Sequence, residues 1–146
     1  MSKLYAFILL ILAFANCKGP SKINDASPEA IPADMLGDFK DDYNISYTIT
    51  EKEWIQHPDA RYHLISYNEK EQYFVARNDE KNPSEAGLYS RIDVMYFQNM
   101  GPFHWGFCLT AYKAKTAEEA IATAAADRNN PKKGCGGFPF SRMKRY

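Results

Sequence analysis

The chain has 146 residues, of which 45% are apolar and 14% aromatic, which is enough for one hydrophobic core but not for two. Its 18 basic and 18 acidic side chains cancel, so there is no long-range field to attract nucleic acid or anionic lipid. The basic residues near the C-terminus are local and are interpreted as solvated surface: Lys132, Lys133, Arg142, Lys144 and Arg145. The composition therefore predicts a single domain that does not bind nucleic acid.

The first sixteen residues have the layout of a secretory signal. Lys3 gives the start a positive charge, residues 4–15 are an unbroken apolar run, and the run ends in small side chains. As a helix this run would rise about 18 Å, whereas the hydrocarbon core of a bilayer is about 30 Å thick. Residues 1–16 are therefore predicted to be a removable signal peptide and not a transmembrane span.

The signal can be cut at two positions, and the choice decides whether the mature protein is tethered. Ala13-Phe14-Ala15 suits an ordinary signal peptidase, whose cut before Asn16 would release a secreted or periplasmic domain. The stretch from Phe14 to Cys17 instead resembles the lipobox of bacterial lipoproteins, although that family usually has Leu at the position of Phe14 and a small residue at that of Asn16. The resemblance implies that Cys17 becomes the N-terminal residue, that its thiol carries diacylglycerol, and that a further chain such as palmitate is amide-linked.

The cysteine count favours the lipidated form. Besides Cys17 the chain has only Cys108 and Cys135, and two cysteines in an oxidising envelope can pair with each other. Cleavage before Asn16 would leave an odd, exposed thiol close to the new N-terminus. We therefore expect a cell-envelope protein anchored to the membrane through Cys17. In the enteric sorting pattern, an aspartate directly after the lipidated cysteine signals retention. Lys18 occupies that position here, which favours the outer membrane.

The stretches 17–34 and 35–146 differ in pattern. The first is rich in Pro, Ser, Asn, Asp and Lys, has no apolar period, and is predicted to be a flexible tether. In the second, apolar and polar residues alternate between turn residues, which is typical of antiparallel strands with one buried face. Strands are predicted at 36–40, 45–50, 53–57, 61–67, 72–77, 88–97 and 103–113, with a last strand within 136–143.

One helix is predicted before the last strand. Thr116 is placed as an N-cap, and Glu119 three residues later completes a capping box. Alanines and Ile121 then form one apolar stripe up to Ala125, after which residues 127–131 end the helix. Small side chains allow such a helix to lie close against a sheet.

A disulfide is predicted between Cys108, late in a strand, and Cys135, after the helix. By the loop-entropy model such a bond stabilises the fold by about 3.6 kcal/mol. These cysteines lack partners at short spacing, so neither a metal site nor a cofactor is expected. Phe138 and Phe140, with Met143, are expected to complete the core from the last strand.

Seven or eight antiparallel strands with a helix before the last predict a mainly β domain, either a small barrel or a strongly curved sheet. In outline, residues 36–142 resemble lipocalin-like small barrels, although the Gly-x-Trp motif of that family is absent near the first strand. The resemblance is one of pattern only and implies no ligand and no functional residue. We expect the domain to be a monomer.

Five residues are candidates for a ligand pocket. Trp54, Tyr96 and Trp105 are rings that can line a cavity or fill a core. Arg91 and Asp93 share a strand face in an otherwise apolar strand. They are interpreted either as an internal ion pair or as a polar group at the floor of the pocket.

Three functions follow as alternatives. The first is a lipid-anchored envelope protein whose β domain binds a small apolar molecule or another envelope component. The second is a tethered or secreted interaction module, such as a hydrolase inhibitor, with a protruding loop at 78–87 or 128–137. The third, an enzyme, requires His63 or His104 to meet an acid such as Asp59 or Asp93, or a serine, in an open cleft. Because the sequence contains no catalytic motif, we expect the protein not to be an enzyme.

Overall fold

The computed structural model describes residues 29–146. The predicted signal peptide, Cys17 and most of the predicted tether lie outside the described residues. Eight strands are present: β1 Gly37–Asp41, β2 Ser46–Ile49, β3 Glu53–Gln56, β4 Ala60–Asn68, β5 Tyr73–Asn78, β6 Tyr89–Tyr96, β7 Trp105–Ala114 and β8 Ser141–Arg145. A 3-10 helix, Ala33–Met35, precedes β1, and helix α1, Ala117–Ala122, lies between β7 and β8.

The strands pair antiparallel in chain order, and β8 pairs with β1 to close a barrel. The predicted mainly β barrel with one short helix before the last strand is therefore confirmed. The strand bounds agree closely with those expected from the alternation of apolar and polar residues, apart from β8, which begins later.

The barrel interior is filled by aromatic side chains that meet edge to face. The ring centroid of Trp54 on β3 lies 5.0 Å from that of Phe107 and 5.8 Å from that of Trp105. Phe39 contacts Trp105 at 5.2 Å, and Phe74 contacts Trp54 at 5.7 Å. Such pairs contribute about 0.5–1.5 kcal/mol each beyond the area that they bury. The centre of the barrel is thus a packed core.

The 3-10 helix covers the end of the barrel at which β1 begins, which we call the plug end. Met35 is fully buried there, and Ile31 packs against the core. Arg145 holds the helix, because its Nη2 donates to the carbonyl oxygens of Ala33, Asp34 and Leu36 over 2.8–3.3 Å. The Glu29 carboxylate also accepts a hydrogen bond from the Glu69 N–H, so contacts with the barrel begin within the stretch assigned from the sequence to the tether.

At the opposite end, a buried carboxylate organises the turn between β1 and β2. Asp41 Oδ1 accepts hydrogen bonds from the backbone N–H groups of Tyr43 and Ile45, at 2.9 and 2.8 Å. Its Oδ2 accepts from the Tyr47 hydroxyl at 3.1 Å. Burial first, and the Asp41 carboxylate second, raise the pKa of Tyr47.

The segment between β7 and β8 lies on the outer surface of β5 to β7. The predicted N-cap is confirmed, since Thr116 Oγ1 accepts from the Glu119 N–H at 3.1 Å. The predicted length of the helix is wrong, because Arg91 donates to the carbonyl oxygens of Ile121 and Thr123 and the chain is extended from there. Ile121 is also exposed and does not belong to a buried stripe.

The predicted disulfide is confirmed, with Cys108 on β7 bonded to Cys135 across a separation of 27 residues. Phe140 and Met143 are buried, as expected. The expectation for Phe138 is wrong, since this side chain is 72% exposed. The reason is that Phe138 pairs with Cys135 in a tight turn before β8 begins.

We expect Tyr47→Phe to lower the free energy of unfolding by about 1 kcal/mol at pH 8, because it removes a buried hydrogen bond. The raised pKa of Tyr47 stabilises the folded state fully below the unfolded pKa of about 10. Above that pH the unfolded state loses its proton first, so the contribution falls progressively until the pH passes the folded pKa. The difference between wild type and Tyr47→Phe should therefore shrink between pH 8 and pH 11.

Urea unfolding followed at several pH values in this range measures that difference. Tyr43→Phe, which alters an exposed ring, is the matched control and should follow the wild type throughout. A difference for Tyr47→Phe that stays constant with pH would contradict the role assigned to its hydroxyl.

Candidate functional site

The five candidate pocket residues lie in three different places. Trp54 and Trp105 point into the barrel, where they contact each other. Arg91 and Asp93 lie on the outer face of β6, beneath the segment that carries α1. Tyr96, the last residue of β6, lies at the plug end and is partly exposed. The structure thus brings Tyr96 and Trp105 together as register partners and keeps the charged pair on the opposite side of the sheet.

Asp93 is fully buried and is held by two arginines. Arg91 donates from Nε and Nη2 to the two carboxylate oxygens at 3.1 and 3.0 Å, and Arg128 Nη2 reaches Oδ1 at 3.2 Å. The Thr110 hydroxyl is a further donor to this carboxylate. Arg128 also donates to three backbone carbonyl oxygens, in the turn between β4 and β5 and on β6. The pair is therefore an internal ion network that fastens the helical segment to the barrel wall.

A pocket of about 710 Å³ opens at the plug end, and we call it the rim pocket. Its walls come from the 3-10 helix, the first residue of β7, the end of β8 and the loop between β6 and β7. The aromatic and apolar lining consists of Phe39, Tyr96, Phe97, Pro102, Trp105 and Met143, and the polar lining of Asp34, Gln98, His104 and Arg145. This volume lies in the range of about 300–1,000 Å³ that small-molecule sites occupy.

Trp105 gives the rim pocket an unusual donor. The side chain is 2% exposed, and its Nε1–H is the one fully buried side-chain polar atom of residues 29–146 without a hydrogen-bond partner in the structure. Buried indole N–H groups usually have a partner, and leaving one unsatisfied costs about 1–3 kcal/mol. A residue that lines a pocket and carries such a donor is suited to a ligand that brings an acceptor.

Two charged residues border the rim pocket. The Tyr96 hydroxyl donates to Asp34 Oδ1 at 3.2 Å, which ties β6 to the 3-10 helix. Burial, followed by the Asp34 carboxylate, raises the pKa of Tyr96. Arg145 lies over the Phe39 ring at 4.9 Å and over Gly37, where a Cβ would come within 2.6 Å of its Nη1. Its Nη2 binds the helix carbonyl oxygens, so Nε and Nη1 are the nitrogens left to meet an anionic group.

Phe97 forms the wall between the rim pocket and the neighbouring surface. Its ring lies over Gly106 on β7, where an added Cβ would come within 2.8 Å of two ring carbons and 2.7 Å of the Ser141 carbonyl oxygen. Glycine at this position therefore allows the Phe97 ring and the β8 backbone to approach β7 closely. A side chain at position 106 would displace the wall.

A second groove, of about 620 Å³, surrounds His63 on the outer surface of β3 to β5. His63 Nε2 lies 2.7 Å from Asp79 Oδ2, and Nδ1 lies 3.4 Å from Glu53 Oε1. The backbone N–H of Lys81, and then His63, lower the pKa of Asp79. Among the described residues that line this groove there is no serine, threonine or cysteine. His63 thus meets the carboxylates of Asp79 and Glu53. Of the acids named in the enzyme hypothesis, Asp59 lines the same groove, whereas Asp93 lies beneath the segment that carries α1.

Within residues 29–146, no group of three or more His, Cys, Asp or Glu side chains is arranged to hold a metal ion. The same part of the chain contains no helix with the length and hydropathy needed to cross a bilayer.

Sequence reasoning found Tyr96 and Trp105 but missed the polar part of the rim pocket. Asp34 and Arg145 stand at opposite ends of the described chain, and only barrel closure between β1 and β8 brings them together. No local pattern signals such a pairing.

No protein-family model matches the chain, and no curated protein or solved structure is significantly similar to it. The function proposed below is therefore argued from the residues of the site.

Proposed function

We propose that this chain is a lipid-anchored protein of the bacterial cell envelope whose barrel binds a small apolar molecule in the rim pocket. The observation that carries the binding is the buried Nε1–H of Trp105, which has no acceptor in the protein and belongs to a residue that lines the pocket. A ligand with an acceptor oxygen would satisfy this donor. Its apolar part would contact Phe39, Phe97 and Met143.

The lining favours a compact aromatic or branched molecule that carries a carboxylate or similar anionic group. Arg145 supplies the positive charge at the pocket, and the surrounding rings supply the apolar contact. Because Trp54 and its neighbours fill the barrel centre, the ligand lies at the rim and a long acyl chain has no path along the barrel axis.

The lipid anchor is supported by the cysteines. The bond between Cys108 and Cys135 accounts for two of the three cysteines, so Cys17 is the single remaining thiol. That is the arrangement expected of a lipoprotein whose envelope domain carries one disulfide. Two or more acyl chains on Cys17 would give stable attachment to the membrane.

A second function, a protein-interaction or hydrolase-inhibitor module, is favoured by the position of one loop. Loop 78–87 is held to the barrel, since Asn78 Nδ2 donates to the carbonyl oxygens of Glu85 and Tyr112. Loop 128–137 lies largely at the surface and leads directly into the exposed Phe138. This function needs no occupied rim pocket, so ligand binding there separates the two.

We expect Trp105→Phe to weaken binding of the anionic aromatic probe anilinonaphthalene sulfonate by about fivefold to tenfold. The substitution keeps a ring but removes the donor, and a hydrogen bond contributes about 1–1.5 kcal/mol. Fluorescence titration under direct excitation of the probe gives the Kd. The free energy of unfolding without probe should also fall, because the smaller ring fills less of the core beside Phe39 and Trp54, so urea unfolding verifies that the variant is folded at the temperature of the titration.

Phe138→Ser is the matched control, since it removes an exposed ring that does not line the rim pocket and should leave the Kd unchanged. Equal Kd values for wild type and Trp105→Phe, or equal weakening in Phe138→Ser, would contradict binding in the rim pocket.

For the anchor, we expect the native protein extracted from membranes to begin at Cys17 and to carry acyl chains. Intact mass spectrometry before and after reduction measures the acyl groups and the disulfide together. Cys17→Ser should allow a high-salt wash to release the protein from the membrane fraction, whereas the acylated wild type should stay in that fraction. A native product that begins at Asn16 with an unmodified Cys17 thiol would show a freely diffusing domain instead.

A further inference from the structure

A rigid turn presents Phe138 to solvent. Cys135 and Phe138 exchange backbone hydrogen bonds of 3.0 and 2.9 Å, and Cys135 is bonded to Cys108 on β7. The two glycines between them have φ values of 59° and 94°, which favour glycine over other residues. Phe140, two residues further on, is anchored in the core. The exposed ring of Phe138 is thus held in place from both sides.

An apolar groove of about 580 Å³ lies beside this turn. Pro139 follows Phe138 directly and lines the groove together with Pro131. Tyr43 and Met100, which are 61% and 39% exposed, also line it. Four exposed apolar or proline side chains therefore line a groove that adjoins, at Pro139, the turn carrying Phe138.

The same surface is positively charged. Residues 128–146 carry six basic and no acidic side chains, of which Arg128 is bound to Asp93 and Arg145 lies at the rim pocket. Lys132 and Arg142 line the groove, and Arg142 is paired with Asp42 at 2.8 Å. Arg142 and Lys144 lie over the Phe103 ring at 4.9 and 5.7 Å, which makes the surface continuous with β8.

The positive surface extends from β8 to β1, because Lys144 is the register partner of Lys40. Two acids adjoin this surface: Asp38 accepts a hydrogen bond from Thr48, and Asp42, which lines the groove, is paired with Arg142. We call the surface formed by Lys40, Tyr43, Met100, Lys132, Lys133, Phe138, Arg142 and Lys144 the basic aromatic face.

The opposite wall of the barrel has the opposite charge. Residues 51–85, which contain β3 to β5, carry eight acidic and five basic side chains. The described residues together carry 15 basic and 17 acidic side chains, so the basic aromatic face stands out against a slightly acidic domain. We call the surface of residues 51–85 the acidic wall. A charged external surface would attract one of these two sides of the barrel and repel the other, and would thereby orient the molecule.

We propose that the basic aromatic face docks on an anionic lipid surface. Lysines near such a surface are attracted to it, while Phe138, Tyr43 and Met100 can enter the boundary between headgroups and acyl chains. Lysine is depleted at protein–protein interfaces, and three of the unpaired cations here, Lys132, Lys133 and Lys144, are lysines. This composition favours lipid over a protein partner. Because Phe97 lines both the groove and the rim pocket, docking would bring the rim pocket close to the lipid.

The docking does not depend on the acyl anchor, so it is tested on the mature chain, which begins at residue 17 and carries Cys17→Ser. We expect this chain to sediment with phosphatidylcholine vesicles that contain phosphatidylglycerol and not with pure phosphatidylcholine vesicles. Binding should decrease as salt is added, because salt screens exposed charges. Lys132→Ser with Lys133→Ser, and separately Phe138→Ser, should each weaken binding by about tenfold or more.

Matched controls come from the acidic wall. Ile65→Ser removes an exposed apolar side chain of β4 (46% exposed), and Lys70→Ser with Lys81→Ser removes two cations from the loops of that wall. Both should bind like the parent chain, and thermal unfolding verifies that every variant is folded.

Failure to bind phosphatidylglycerol vesicles, or equal losses in the controls, would overturn the proposal. The proposal would also be overturned if Phe138→Ser bound vesicles like the parent chain but lost crosslinking to an envelope protein, because Phe138 would then contact a protein partner. Probe binding in the rim pocket is measured without vesicles, so either proposal can fail alone.

Discussion

The packing of Trp54 against Phe74, Phe107 and Trp105 is the interaction on which the rest of the molecule depends. An eight-stranded barrel has an interior just wide enough to be filled by side chains or to hold one small ligand. Here the rings take that space, so any ligand must bind at an end or on the outer surface. The plug end is where this aromatic core reaches a pocket, and Trp105 belongs to both.

The outer surface follows from a second constraint, the burial of Asp93 between Arg91 and Arg128. Arg91 lies on β6 and Arg128 lies after α1. Because both bind Asp93, this carboxylate ties the long connection between β7 and β8 to the barrel wall. The disulfide ties the same connection to β7 at Cys135. Between them, these two attachments fix the turn that exposes Phe138. The basic aromatic face is thus built on a rigid support, although it lies in a segment with little regular structure.

Much of the fold could be predicted from the sequence, because period-two alternation and turn residues mark each strand locally. The cap at Thr116 and the pairing of Cys108 with Cys135 also follow from local or compositional signals. Which face of β6 points into the barrel could not be predicted, because the helical segment covers the outer face and residues of both faces are therefore buried. Phe138 was misplaced for a related reason: alternation predicted a strand, but two glycines turn the chain first. The rim pocket needed closure of the barrel, which no local pattern contains.

The central claim is that a ligand meets Trp105 at the rim and does not reach Trp54 in the core. The chain has two tryptophans, so a ¹H–¹⁵N spectrum shows two indole signals, and the one absent in Trp105→Phe is assigned to Trp105. Titration of the wild-type chain with anilinonaphthalene sulfonate is the most direct test. We expect the Trp105 indole signal to shift in a saturable way while that of Trp54 stays in place. A saturable shift of Trp54 alone, or no shift of Trp105 at saturating probe, would contradict the claim.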